Sequence, residues 1–270
     1  MLRVILFAPI HTSIYSRLVL HGLLNDPSVE VVGVVVRDHR NVQRVRSEFR
    51  RDGKRLIRKF IRKYLLREKM YDGVVGENLA RMAQDMDLPK GSLHTMAEEA
   101  SLPYLVCKDL SDEKCEQFLL QKQPDLIAFT GGGLIRKNIL QIPTLGVLNC
   151  HTGVLPKYRG MDVVEWTALE GALDTTGFGV SLHYMDKGVD TGPIIKVISY
   201  APSQDDTFSS IRMKLEVKMV TAMLSGIQAI AESRARGQPQ NMQDGRQYFV
   251  MHARMKIFAS ARLKEQLHSH

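Results

Sequence analysis

Asn149, His151 and Asp190 are the side chains of this sequence that combine into reaction chemistry. An amide that donates, an imidazole that carries a proton and a carboxylate that holds the imidazole are the parts of acid–base catalysis with charge stabilisation. Asn149 and His151 follow the apolar run Leu145 to Leu148 at i and i+2, so on a strand they share one face. Thr152, Gly153 and Pro156 then break the regular backbone. In an open parallel sheet, ligands bind at this end of a strand. Asp190 lies 41 positions after Asn149, in an acidic turn from Asp186 to Asp190 that follows a helix and a further strand. The three can meet only if the fold returns the chain to the strand end. The plainer readings are a strand-end hydrogen-bonding pair for Asn149 and His151, and a turn residue for Asp190.

The order Asn149-x-His151, Leu155-Pro156, Tyr158-Arg159-Gly160 and Asp190-Thr191-Gly192 resembles the formyltransferase family that uses 10-formyltetrahydrofolate. Tyr158-Arg159-Gly160 is similar to the tRNA and sugar formyltransferases in particular. The resemblance covers roughly residues 120 to 220 well and the first forty loosely. It implies 10-formyltetrahydrofolate as formyl donor, and Asn149, His151 and Asp190 as the catalytic residues. It also implies a donor-binding loop at Gly131, Gly132 and Gly133, with main-chain contacts around Leu134 and Ile135, joined by Asp186, Gly188 and Val189. A permissive strand-to-helix turn is the other reading of the three glycines. Tyr158, Arg159 and Gly160 are expected on a substrate-facing loop, where Arg159 suits a phosphate or carboxylate; a solvated loop is the alternative.

Formyl transfer to an amine is acyl transfer, in which charge develops on the formyl oxygen and the leaving nitrogen needs a proton. Asn149 can donate to that oxygen. His151 can stabilise the same charge when protonated and take part in proton transfer, and Asp190 can hold the imidazole or an ordered water. The nearby carboxylate is expected to keep the imidazole charged near neutral pH. No nucleophile is required, in keeping with the absence of a Gly-x-Ser-x-Gly elbow. His11, His21, His94, His183 and His252 receive no role.

The elements that must position these groups read as α/β. Arg3 to Ala8 and Val29 to Val36 are apolar strands around a helix from Ser13 to Leu24, an opening that predicts a doubly wound, mostly parallel, Rossmann-like sheet. Pro9 to Ser13 replaces the Gly-x-Gly-x-x-Gly of a dinucleotide site. Further strands are expected at 103–106, 125–129, 179–185, 194–200 and 247–251. Helices are expected at 92–100, at 112–121 with Ser111 as N-cap, at 163–170, from 203 through 225 and at 256–267. The domain expectation is a catalytic unit over 1–236, with a basic helical insertion at about 39–72, and a short C-terminal appendage over 237–270.

The chain has a net charge of +8, yet Arg37 to Lys69 alone holds 14 Lys or Arg against 4 Asp or Glu. The basicity therefore belongs to one segment. A solvated helix with Leu56, Phe60 and Tyr64 facing the core is one reading. A cationic face at 40–69 for an anionic nucleotide or membrane surface is the other. Cys107, Cys115 and Cys150 lack metal-ligand spacing and fit reduced thiols, so a cytoplasmic protein without a metal is expected. No apolar run is long enough to span a bilayer.

The resemblance leaves the acceptor amine open. About seventy residues follow Tyr200, too few for the separate C-terminal domain of tRNA formyltransferases. Pro9 to Ser13 also lacks the Gly-rich phosphate loop of glycinamide ribonucleotide formyltransferases. By elimination the expected partner is an amino sugar on a nucleotide carrier. Alternatives are the tRNA and glycinamide ribonucleotide acceptors, a formyltetrahydrofolate hydrolase, and a basic module binding RNA or an anionic surface. Oligomeric state is open, a homodimer being compatible.

Overall fold

The protein is described by a computed structural model covering residues 1–38, 77–131 and 133–268. The basic segment expected at 39–72 and Gly132 lie outside the described residues. The described elements run β1 (Leu2–Ala8), α1 (Ile14–Leu24), β2 (Val29–Arg37), α2 (Leu79–Asp85), α3 (Leu93–Glu99), β3 (Tyr104–Cys107) and α4 (Glu113–Lys122). They continue β4 (Leu126–Phe129), α5 (Lys137–Leu140), β5 (Gly146–His151), β6 (Tyr158–Gly160), α6 (Val163–Leu169), β7 (Phe178–Tyr184), β8 (Ile194–Tyr200), α7 (Phe208–Ala231), β9 (Arg246–Tyr248) and α8 (Ala253–His268).

A seven-stranded sheet carries the order β3-β2-β1-β4-β5-β7-β8. Strands β3 through β5 pair in parallel, while β7 and β8 run antiparallel at one edge. The doubly wound, mostly parallel sheet expected from the sequence is the observed one. Val4 to Ala8 and Leu126 to Ala128 are fully buried, because helices cover both faces of the central strands. The strand order reverses between β1 and β4, which opens a crevice at their carboxyl ends.

Helix starts follow side-chain capping. Ser13 accepts from Ser16 N–H at α1, and Thr207 and Ser210 form a reciprocal capping box at α7. At α4 the cap is Asp112, which accepts from Cys115 N–H at 2.9 Å, and not the expected Ser111. Ser111 Oγ accepts instead from Arg136 N–H at 2.9 Å, tying the loop after β4 to α4. Asp206 precedes the α7 N-cap Thr207. It is buried, accepting from Ser203 N–H, Ser210 Oγ and Lys214 Nζ.

Tyr158 to Gly160, expected as a loop, is a strand that pairs in parallel with β9. Tyr158 and Tyr248 stack with ring centroids 5.2 Å apart, and both hydroxyls donate to Glu170. Lys256 of α8, which starts three residues earlier than expected, pairs with Asp162 at 2.8 Å and Glu165 at 3.2 Å. Among the described residues no helix is long and apolar enough to cross a membrane.

Gly160 is one of the tightest points of this packing. Its φ is +101°, and a Cβ there would stand 2.1 Å from the Tyr248 carbonyl oxygen. Gly160→Ala is expected to cost about 2–3 kcal/mol of stability through strain and a backbone clash. A fall in the urea midpoint at unchanged slope, with faster proteolysis near residues 237–253, is the expected result.

Candidate active site

Asn149 and His151 both lie within β5, on the last residues that pair with β7. Asn149 stands opposite His183 and His151 opposite Ser181. The loop after β5 is pinned at once: Leu155 N–H donates to Ser181 Oγ at 3.0 Å, and Ser181 Oγ donates to the Gly153 carbonyl at 2.7 Å. A Cβ at Gly153 would stand 2.7 Å from His151 Nε2, so this loop can lie on the imidazole only with glycine here.

His151 is buried between two acceptors. Its Nε2–H donates to the Tyr158 carbonyl at 2.8 Å, and its Nδ1 lies 3.4 Å from Asp190 Oδ2. Two acceptors call for a proton on each ring nitrogen, which only the imidazolium supplies. Burial opposes that charge and wins. The His151 pKa lies below the ordinary imidazole value, because desolvation and His183 outweigh the raising effects of Asp190 and the Tyr158 carbonyl. The expectation that Asp190 keeps His151 charged near neutral pH is thus corrected: the carboxylate only moderates a buried, mostly neutral ring.

Asp190 joins the pair as the sequence pattern requires, and holds more than the imidazole. Its backbone is left-handed, with φ +53°. Oδ2 accepts from Gly160 N–H at 2.9 Å, and Oδ1 lies 3.5 Å from His183 Nε2. Burial alone would raise its pKa. The His151 imidazole beside Oδ2 and the Gly160 N–H together hold it below the usual carboxylate range. Gln240 Nε2 clamps the same loop by donating to the Asp190 and Gly192 carbonyls, at 3.1 and 2.6 Å.

His183, given no role by the sequence reading, is part of this cluster. Its Nδ1 donates to the Tyr184 carbonyl at 2.8 Å, and its Nε2 accepts from Asn149 Nδ2 at 3.2 Å. An amide carries two donors, so Asn149 keeps one N–H for a ligand while His183 sets its orientation. A polar Ser181-x-His183 pair in an otherwise apolar strand was the available signal. Nothing local marks Gln240.

The other expected site residues divide. Tyr158 is fully buried and its hydroxyl is taken by Glu170, so its side chain does not face a substrate; its carbonyl serves His151. Arg159 faces the C-terminal segment, donating to the Gly245 carbonyl at 3.2 Å and contacting Met242 Sδ. Gly160 serves Asp190 through its N–H. Asp186 shapes its own turn by accepting from Gly188 N–H at 2.8 Å and from Thr191 Oγ1. Leu134 and Val189 are exposed, Ile135 is buried, and Gly131 and Gly133 have φ of +107° and +123°. Among the described residues no cluster of His, Cys, Asp or Glu is arranged to hold a metal.

Asn149 also lines a cleft of about 550 Å³ in the crevice at the carboxyl ends of β1 and β4, with Thr12, Ser13 and Thr130. Its floor is tied by buried hydrogen bonds, Ser16 Oγ with Thr130 Oγ1 at 2.7 Å and Thr130 Oγ1 to the Phe7 carbonyl at 2.7 Å. The thiol of Cys150, another lining residue, is pushed far up by burial and stays neutral.

Comparison with known proteins bears on this arrangement. The family described as formyl transferase matches residues 2–227. The methionyl-tRNA formyltransferase of Desulfotalea psychrophila is 32% identical over 164 residues, which is 57% of this chain and 50% of that protein. That of Myxococcus xanthus is 33% identical over 150 residues, 52% of this chain and 47% of that protein. The chain thus spans about half the length of these curated relatives. Among solved structures, a sugar N-formyltransferase from a Shewanella species superposes with a TM-score of 0.59 at 9% identity, over 97% of this chain and 88% of that one. Phosphoribosylglycinamide formyltransferase from Anaplasma phagocytophilum gives 0.57 at 15% identity, over 92% and 97%. At such identities these likenesses speak for the fold.

The electrostatics generate a test by NMR titration. His151 is expected to titrate below about 6.5, the usual imidazole value, and Asp190→Asn should move its midpoint lower still. A folded pKa below the unfolded one means stability that is full above the unfolded value and is lost as pH falls below it. Unfolding free energy should therefore drop as pH falls below about 6.5, and His151→Gln should flatten that drop. Identical His151 titrations with and without the Asp190 charge would remove the carboxylate from the pair.

Proposed function

The chain belongs to the formyl transferase family, and on that premise we propose that it is an N-formyltransferase moving a formyl group from 10-formyltetrahydrofolate to a primary amine. The observation that carries the reading is the convergence of Asn149, His151 and Asp190 from two separate stretches onto one hydrogen-bonded cluster beside an open cleft. The donor supplies an activated formyl group. Gly131, Gly133, Leu134 and Val189 are the residues suited to hold it. Asn149, oriented by His183, donates its free N–H to the formyl oxygen as charge develops there. As the amine attacks the formyl carbon, His151 takes up at Nδ1 the proton the amine loses, where Asp190 stabilises the cation that burial otherwise disfavours, and returns a proton to the donor nitrogen as its bond to that carbon breaks. The Tyr158 carbonyl fixes the ring while this happens.

The acceptor assigned by this reading is an amino sugar on a nucleotide carrier. Solved structures of this fold include a sugar N-formyltransferase and a phosphoribosylglycinamide formyltransferase, and Pro9 to Ser13 of this chain does not supply the Gly-rich phosphate loop expected of the latter. The identity of the sequence relatives favours methionyl-tRNA as the second reading. The basic segment 40–69 would serve either acceptor by meeting its phosphates.

Mass spectrometry of acceptors incubated with 10-formyltetrahydrofolate decides between them. Formylation of a nucleotide-linked amino sugar is the expected result. Formylation of methionyl-tRNA would select the second reading, and formate release without any acceptor would make the protein a hydrolase. Asn149→Ala and His151→Ala should each lower turnover about 10²–10³-fold while leaving the fold intact. Near-wild-type turnover in both variants would sink the mechanism.

A further inference from the structure

Two polar groups of the cleft beside Asn149 lack partners. Tyr15 enters the crevice from the first turn of α1, and its hydroxyl is buried without a hydrogen bond. Glu216 enters from α7, and its half-buried carboxylate makes no hydrogen bond or ion pair with a described residue. Burial pushes the Glu216 pKa up, and the charge of Arg212 only partly offsets this. Arg212 is itself committed to Glu165 and lies 3.6 Å from Asp162. The buried Tyr15 hydroxyl left unpaired costs stability, and the Glu216 carboxylate beside it is open to the cleft with no protein partner among the described residues. Such groups are kept where a ligand completes them.

The charge of the lining narrows what that ligand is. Among the described residues no Lys, Arg or His lines this cleft, and Glu216 would repel an anion held there. A phosphate at this end of the acceptor is thereby disfavoured. A hydrogen-bond donor, such as an amino group or a sugar hydroxyl, is favoured.

We infer that Tyr15 and Glu216 are the acceptor-selecting residues of this site: they grip the hydroxyl- and amine-bearing, phosphate-free end of the acceptor and present it beside Asn149. The inference rests on the formyl-transfer reading and adds to it the polarity of the acceptor in the cleft. Glu216 accepts from the acceptor's N–H or O–H groups, and the Tyr15 hydroxyl completes the ring of partners. The phosphates of a nucleotide carrier then lie outside this cleft.

The test compares wild type with Tyr15→Phe, Glu216→Gln and Glu216→Asp, using whichever amine the wild-type protein formylates. Removal of an unpaired buried polar group should leave the unfolding temperature unchanged or raise it. The same substitutions should raise the acceptor KM, about tenfold or more for Glu216→Gln and several-fold for Tyr15→Phe, from the usual strength of charged and neutral hydrogen bonds. The KM for 10-formyltetrahydrofolate should not move, kcat should change little, and Glu216→Asp should recover part of the loss. An acceptor KM unchanged in both Tyr15→Phe and Glu216→Gln overturns the assignment while leaving formyl transfer standing. Loss of stability with a parallel fall of kcat for every acceptor makes the two residues structural and also overturns it. If the wild-type protein formylates no amine, the functional reading fails and this inference falls with it.

Discussion

The Asp190 carboxylate is the node through which the site is assembled. It sits in a left-handed turn, largely but not fully covered, facing His151 and His183 and accepting from Gly160 N–H. Those partners come from β5, β7 and β6, so one side chain ties the sheet to the small β6–β9 ribbon. A buried carboxylate without partners would protonate or be expelled. Here the Gly160 N–H and the His151 imidazole outweigh the desolvation, and the charge that results is available to that imidazole. The same partners limit the arrangement, because moving any one of the three elements leaves a buried charge uncompensated.

The sheet explains why the cluster lies where it does. β1, β2 and β4 are parallel and buried on both faces, which makes their carboxyl ends a place where polar side chains gather without a large desolvation cost. β7 then runs antiparallel to β5, so that His183 lies directly across from Asn149. Cross-strand neighbours in such a pair are within side-chain reach. The amide orientation follows from this pairing. A free Asn at a strand end would rotate; one donating to His183 presents its second N–H in a set direction.

The C-terminal segment supports the same site from outside. Gln240 holds both carbonyls flanking the Asp190 turn, and β9 lies against β6 through Gly160. Behind them Glu170 accepts from both Tyr158 and Tyr248, and α8 is joined to α6 through Lys256. The strand that supplies the His151 ring with its carbonyl partner is thus fixed by residues outside the Asn149–His151–Asp190 cluster. The cleft on the other side has the opposite character, with a hydroxyl and a carboxylate left without partners.

Local pattern was enough to read the alternation of apolar strands and helices, the parallel sheet, and the set Asn149, His151 and Asp190. Buried parallel strands are near-continuous apolar runs, and the motif residues keep a fixed order along the chain. Helix caps were legible to within a residue, since Ser111 and Asp112 are both capping types and only geometry chooses between them. What the chain order did not contain was pairing across distance. His183 becomes a site residue only through antiparallel register with β5, and Gln240 only because residues 238–240 return beside β8. Tyr158 looked like a loop residue because a three-residue strand acquires its identity from its partner, here β9 some ninety positions away. The charge state of His151 was misread for the same reason. A neighbouring carboxylate is visible in the motif, but burial is a property of everything packed around the ring, and in this protein burial is the larger effect.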